Sequence, residues 1–168
     1  MLLSVFFVLC YFLLCIEDMS AKPIYEADAK RLLSKYLQNT DFVKSQNALV
    51  TESSAESEQW DDVVKNNEWL TTKKLVVKPD QLIKRRGKLG LIKVKVDLNE
   101  VQDWIKSRLN QEIQIGQTKG ILKRFLIEPF VEHKQEEEYY VCIYAQRDCD
   151  TILFHHEGGV DIGDVDSK

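Results

Sequence analysis

The clearest hydrophobic period lies in residues 25–38, YEADAKRLLSKYLQ. Ala29, Leu32, Leu33, Tyr36 and Leu37 recur at the spacing that gathers side chains on one face of a helix. The spacing predicts an amphipathic helix with that stripe turned to a core. The period is lost over 39–59, where Thr51-Glu52-Ser53-Ser54-Ala55-Glu56-Ser57-Glu58 predicts a solvated loop. Trp60, Val63, Val64 and Trp69 predict a short helical piece over 60–70, with these four as buried candidates.

The pattern changes at Lys73. Leu75-Val76-Val77-Lys78 is a short apolar run stopped by Pro79, and predicts a strand. Residues 91–98, LIKVKVDL, alternate, so Ile92, Val94 and Val96 are expected on one face and Lys93, Lys95 and Asp97 on the other. Asn99, with Gln102 three residues on, reads as a helix cap ahead of a Val101, Trp104, Ile105, Leu109 stripe. Phe125–Ile127, leading into Glu128-Pro129-Phe130-Val131, predicts a further strand. Residues 138–145 and 151–156 predict a hairpin closed by Arg147-Asp148-Cys149-Asp150. Helices and strands alternate without an internal repeat, so the fold class is α+β or mixed α/β.

Composition narrows the class. The 168 residues are 44% hydrophobic and 30% charged, which excludes a wholly disordered chain. The length suits one domain of ordinary size and is too short for a multi-domain enzyme. The net charge of −4 gives no general attraction to nucleic acid. Residues 2–16 are apolar apart from Ser4, short of the roughly 20 residues that a membrane span needs. No Lys or Arg precedes this leader, Glu17-Asp18 follows it, and Met19-Ser20-Ala21 offers a poor cleavage site. It reads as a signal peptide, a marginal anchor or an upstream extension with Met19 as the start. Without residues 1–18 the balance is 25 acids (27 − 2) against 23 bases, a net −2. Cys10 and Cys15 fall in the leader, and Cys142 and Cys149 form neither a disulfide framework nor a CxxC metal knuckle. That usage favours an intracellular chain.

The densest chemistry lies in residues 73–95, which hold nine basic residues against one acid, Asp80. Lys84-Arg85-Arg86-Gly87-Lys88-Leu89-Gly90 sits between two predicted strands. Lys supplies a mobile charge, Arg a fork of donors, and Gly lets backbone N–H groups approach an oxyanion, as a polyphosphate requires. The spacing is neither a Walker A loop nor GxGxxG. A solvated basic hairpin, or a nuclear-localisation or RNA-binding tag, fits the same residues. No aromatic interleaves the loop, which weakens single-strand binding.

Leu75 to Leu91, LVVKPDQLIKRRGKLGL, closely resembles the ATP-binding segment of the animal ATP-citrate lyases. Phe125–Val131 resembles that family's hinge strand, 138–145 and 154–161 its following hairpin, and Met19-Ser20-Ala21-Lys22 its usual start. The likeness runs from Met19 to Lys168. It is weak over about residues 40–60, and residues 1–18 have no counterpart in it. The resemblance implies an ATP-grasp fold, similar to the succinyl-CoA synthetase β subunit, here incomplete. Domain bounds are then a leader over 1–18 and an ATP-grasp part over 19–168. It implies roles as well. Lys78 would reach the ATP phosphates, Arg86 and Gly87 would form the phosphate-facing loop, Pro129 and Val131 would lie beside adenine, and Glu138 would accept from the ribose hydroxyls. Plainer readings of the same residues are a strand-end lysine, a turn, β packing and one acid of a solvated Glu136-Glu137-Glu138 run.

The family's reaction makes acetyl-CoA and oxaloacetate from citrate, CoA and ATP. Its Mg²⁺ ligands, citrate and CoA sites and phosphohistidine are expected downstream of Lys168, so this chain alone is expected not to be catalytic. His155 and His156 are not that histidine; in a strand they are expected to point to opposite faces. Asp161, Asp164 and Asp166 resemble a calcium loop only loosely. The expected partners are ATP and full-length subunits in a homo-oligomer, with no nucleic acid, a cytoplasmic location, and a membrane only through residues 1–18. The alternatives are a short isoform that binds nucleotide or full-length subunits, and a secreted or membrane-anchored binding module.

Overall fold

The computed structural model describes residues 23–37, 46–55, 57–83, 86–145 and 147–158. The leader with Cys10 and Cys15, the Met19–Lys22 start, Lys84, Arg85, and Asp161, Asp164 and Asp166 lie outside the described residues. The chain divides into two compact units: Pro23–Val131, and one that contains Glu132 onward.

In the first unit the helices are α1 (Glu26–Tyr36), α2 (Ser57–Lys65) and α3 (Leu98–Lys106). The strands are β1 (Ala48–Thr51), β2 (Leu75–Pro79), β3 (Lys93–Val96), β4 (Glu112–Ile115), β5 (Thr118–Ile121) and β6 (Arg124–Pro129). Four of them form an antiparallel sheet in the order β1-β6-β2-β3. Pairing puts Leu75 and Val77 of β2 on the same face as Phe125 and Ile127 of β6 and Ala48 and Val50 of β1. These side chains are buried with Trp60 from α2, Leu70 from the 3₁₀ turn Glu68–Thr71, and Val101, Trp104 and Ile105 from α3. Trp104 meets Phe125 edge to face at 5.9 Å. Each fully buried side chain of this kind is worth about 1.5–3 kcal/mol over exposure, so this face carries the fold's stability.

The other face of β2 and β6 carries Lys78, Leu126 and Glu128, and α1 meets it. This corrects the expected role of the α1 stripe. Leu32 and Tyr36 are exposed, and α1 meets the sheet through Glu26, Asp28 and Lys30, with Ala27 bound to Asp80 just beyond β2. Charge pairing across the interface outweighs the apolar period here.

Three further expectations are corrected, and one element is new. Residues 48–51, within the 39–59 stretch where the period is lost and overlapping the expected loop at Thr51, form β1, whose pairing partner β6 is too distant in sequence for a local window to see. The alternation over 91–98 does not persist. Leu75 pairs with Val96 and Val76 with Val94, leaving Lys95 as an extra residue at φ 58. This bulge breaks the period, and Val94 is exposed while Val96 is buried. The cap of α3 is Asp97 rather than Asn99, in a reciprocal box in which the Asp97 N–H donates to Glu100 at 3.0 Å. The β4–β5 hairpin has no counterpart in the period analysis. Its signal is Gly116-Gln117 between EIQI and TKGI, with Gly116 at φ +61 in a two-residue turn.

The second unit holds β7 (Tyr140–Ala145) paired antiparallel with β8 (Asp150–His155), the hairpin the sequence predicts. Gly158 donates its N–H to the Glu138 carbonyl at 2.8 Å, and a Cβ there would lie 2.4 Å from the Tyr139 backbone, so this approach requires glycine. The two histidine rings are 4.8 Å apart, against the opposite-face expectation. β8 ends at His155, and His156 stands in a bend where strand alternation no longer applies. The class is α+β with antiparallel sheets, as the element pattern implies.

Candidate nucleotide site

Folding buries Lys78. At the end of an apolar run it reads as solvated, yet it is only 3% exposed. Burying an ammonium requires paired acids. Lys78 Nζ meets Glu26 Oε1 of α1 at 2.6 Å and Glu128 Oε2 of β6 at 2.9 Å. Glu128 and Lys78 are diagonal neighbours on one face, because Val76 pairs with Glu128 and Lys78 with Leu126. Lys30, one helical turn after Glu26, meets Glu26 at 2.8 Å and also pairs with Glu128.

Arg86 joins the same cluster from the glycine loop. Its Nη2 meets Glu26 Oε2 at 2.6 Å, and its Nη1 donates to the Pro79 carbonyl at 2.7 Å. One carboxylate therefore bridges the two basic residues that the family resemblance would place on phosphate. Burial pushes the Glu26 carboxyl up. Lys78, Lys30 and Arg86 outweigh it and hold the group well below the ordinary carboxylate range. Burial likewise lowers Lys30, and Glu128 and Glu26 outweigh it, holding the ammonium above its ordinary value.

The start of α1 is fixed by a second group of charges. The Ala27 N–H donates to Asp80 Oδ1 at 3.2 Å. Asp80 is fully buried and its other oxygen accepts from Arg124 Nε at 2.8 Å. Arg124 also reaches Asp28 at 3.3 Å and stacks over Tyr25 at 4.4 Å.

The other predicted residues take separate places. Gly87 lies in the Arg86–Gly90 turn, where its carbonyl accepts the Gly90 N–H at 3.1 Å and Gly90 takes φ +66. Pro129 ends β6 opposite Leu75, three residues along the ladder from Lys78, or about 10 Å. Val131 follows on the exposed side. In the second unit Glu138 is buried, unlike its exposed neighbours Glu136 and Glu137. Its Oε1 lies 2.5 Å from His133 Nε2 and its Oε2 accepts from Gln135 Nε2 at 3.3 Å.

Other basic residues of the 73–95 stretch are also partnered. Lys74 pairs with Asp97 at 2.8 Å, Lys93 with Glu100 at 3.7 Å, and Lys95 lies over the Phe130 ring. The sequence reasoning missed Glu26, Lys30 and Glu128. Their one local signal is the Glu26/Lys30 i,i+4 pair.

The family profile described as the ATP-citrate synthase ATP-grasp domain matches residues 20–168. The chain belongs to this family. It is 55% identical to the ATP-citrate synthase of Bos taurus over 150 residues, which is 89% of this chain and 14% of that protein. It is 41% identical to ATP-citrate synthase alpha chain protein 3 of Arabidopsis thaliana, covering 86% of this chain and 33% of that one. The ATP citrate lyase of Methanothrix soehngenii, solved with citrate and coenzyme A, superposes with TM-score 0.68 at 39% identity, covering 81% of this chain and 32% of that chain. The likeness of Leu75–Leu91, Phe125–Val131, 138–145 and 154–161 to ATP-citrate lyases is thus a family relationship. The chain spans about a seventh of the length of its animal relatives. Among the described residues no helix is long and apolar enough to cross a membrane.

Proposed function

We propose that this chain supplies the ATP-binding part of an ATP-citrate synthase, with Lys78 and Arg86 receiving the nucleotide phosphates. The observation that carries the reading is their convergence on one carboxylate, within a chain that belongs to an ATP-grasp family. Two donors that reach two oxygens of one small anion are arranged as a phosphate requires. The Gly87 turn would let the backbone approach the same oxygens. The backbone at Pro129 and Val131 would read the adenine edge, and Glu138 would accept from the ribose. The distance between Lys78 and Pro129 along the ladder suits a nucleotide laid along β2 and β6.

The whole enzyme would use ATP to make acetyl-CoA and oxaloacetate from citrate and CoA, in the cytoplasm, as a homo-oligomer. These residues alone would bind nucleotide without completing that reaction. Mg²⁺ would neutralise phosphate charge there. Among the described residues no three metal-ligating side chains gather, and Glu26 and Glu128 are engaged by cations, so no step is assigned to a metal held by this chain.

The test is calorimetric titration of ATP into the full chain. Wild type is expected to bind, and Lys78→Ala and Arg86→Ala are each expected to weaken binding about tenfold or more, the value of a charge-assisted hydrogen bond. Wild-type binding with both variants unchanged would overturn the site.

A further inference from the structure

We infer that Glu26 is a positioning residue for the phosphate site, its single carboxylate setting the spacing and direction of Lys78 and Arg86. The inference rests on the nucleotide reading above. Glu26 lies on α1, outside the basic glycine segment and outside every residue assigned a contact with ATP. Both its oxygens are used: Oε1 meets Lys78 at 2.6 Å and Lys30 at 2.8 Å, and Oε2 meets Arg86 at 2.6 Å. Lys78 comes from β2 and Arg86 from the following loop, so the bridge joins two segments with different backbone freedom. A Lys side chain has four rotatable bonds and gives no fixed direction by itself. Here Glu128 holds Lys78 from the β6 side at 2.9 Å and Glu26 from the α1 side.

An acid on two phosphate-facing cations could act in the opposite way, as a plug that ATP must displace. The surroundings of Glu26 argue against that. The residues on either side of it are tied down. The Ala27 N–H is bound to fully buried Asp80, Asp28 to Arg124, and the Tyr25 ring lies under the same guanidinium. Asp80 immediately follows β2, the strand that carries Lys78, so the backbone of Glu26 is locked to the strand it serves. The backbone that carries Glu26 is thus anchored beside both cations, and its carboxylate is 14% exposed. The cluster also keeps three cations against two acids, so Glu26 orders the cations without cancelling their charge.

The test compares ATP with adenosine on the full chain by calorimetry, for wild type, Glu26→Gln, Glu26→Asp and Lys78→Ala, with a melting curve for each. Glu26→Gln keeps the shape and loses the charge. It is expected to weaken ATP about tenfold or more, the scale of a charge-assisted hydrogen bond, while adenosine stays within about twofold. Glu26→Asp keeps the charge but is one methylene too short to reach both cations, and should show the same split to a smaller degree. It carries the test if Glu26→Gln does not fold. Equal or tighter ATP binding in the folded variants would make Glu26 a plug or a bystander and overturn the inference. An equal loss of ATP and adenosine would make it merely structural and overturn it too. ATP binding unchanged in Lys78→Ala would instead sink the phosphate site itself, and separates that failure from this one.

Discussion

At the scale of single residues, the molecule places charge where the sequence pattern expects solvent. Lys78 is buried because Glu26 and Glu128 meet it from two elements, and neither acid is near it in sequence. The basic character of Lys78 and Arg86 was legible from residues 73–95. Their partners were not, because an ion pair between α1 and β6 exists only after folding. The same cluster makes stability depend on pH. The Glu26 carboxyl is held below its ordinary value of 4.5, so the folded state binds fewer protons than the unfolded state as pH falls through that value. Its contribution is present above 4.5 and is lost as the pH falls towards the lowered folded value. Lys30 is raised above 10.5, so its contribution is full below that pH and is lost as the pH climbs through its higher folded value. Urea midpoints measured between pH 3 and 7 should therefore fall more steeply on the acid side in wild type than in Glu26→Gln. Equal slopes would mean that Glu26 is not held by these cations.

At the scale of elements, local rules hold where the element is closed locally and fail where pairing is distant. The stripe of Val101, Trp104 and Ile105 in α3 and the β7–β8 hairpin follow from period and turn alone. β1 is short and flanked by polar residues, and is a strand because β6 pairs with it. The 91–98 alternation fails at a single residue, Lys95, whose positive φ absorbs the register shift against β2. Two residues on, the cap of α3 falls on Asp97. The Asp97 side chain accepts from the third helical N–H, and Glu100 returns a bond to the Asp97 N–H. Asp97→Ala is therefore expected to cost about 1 kcal/mol of stability, the usual value of a lost N-cap. Asn99→Ala should cost little, because Asn99 already lies inside α3. Paired denaturant titrations of the two variants distinguish them, and a larger loss for Asn99→Ala would contradict the cap assignment.

At the scale of the whole molecule, burial is concentrated in one of the two units. The sheet β1-β6-β2-β3 has an apolar face closed by α2 and α3 and a charged face met by α1, so its two central strands are covered on both sides. The β7–β8 hairpin is a two-stranded sheet in which Ile143, Ile152 and Phe154 are 57%, 68% and 63% exposed. Two-stranded sheets are marginal in water without a covering layer. Local opening costs least where few apolar contacts are buried. Amide hydrogen exchange on the full chain should therefore run slowest at Val77, Leu126 and Ile127 and much faster along β7 and β8. Glu138 precedes β7, and its buried carboxylate is held by His133 and Gln135 within the same unit. ATP contact at Glu138 would then slow exchange in β7 more than in β2, which is already protected. Hairpin amides as slow as those of β2 without nucleotide would mean that the exposed Ile143 and Ile152 face is covered in solution, by a second copy or by further chain.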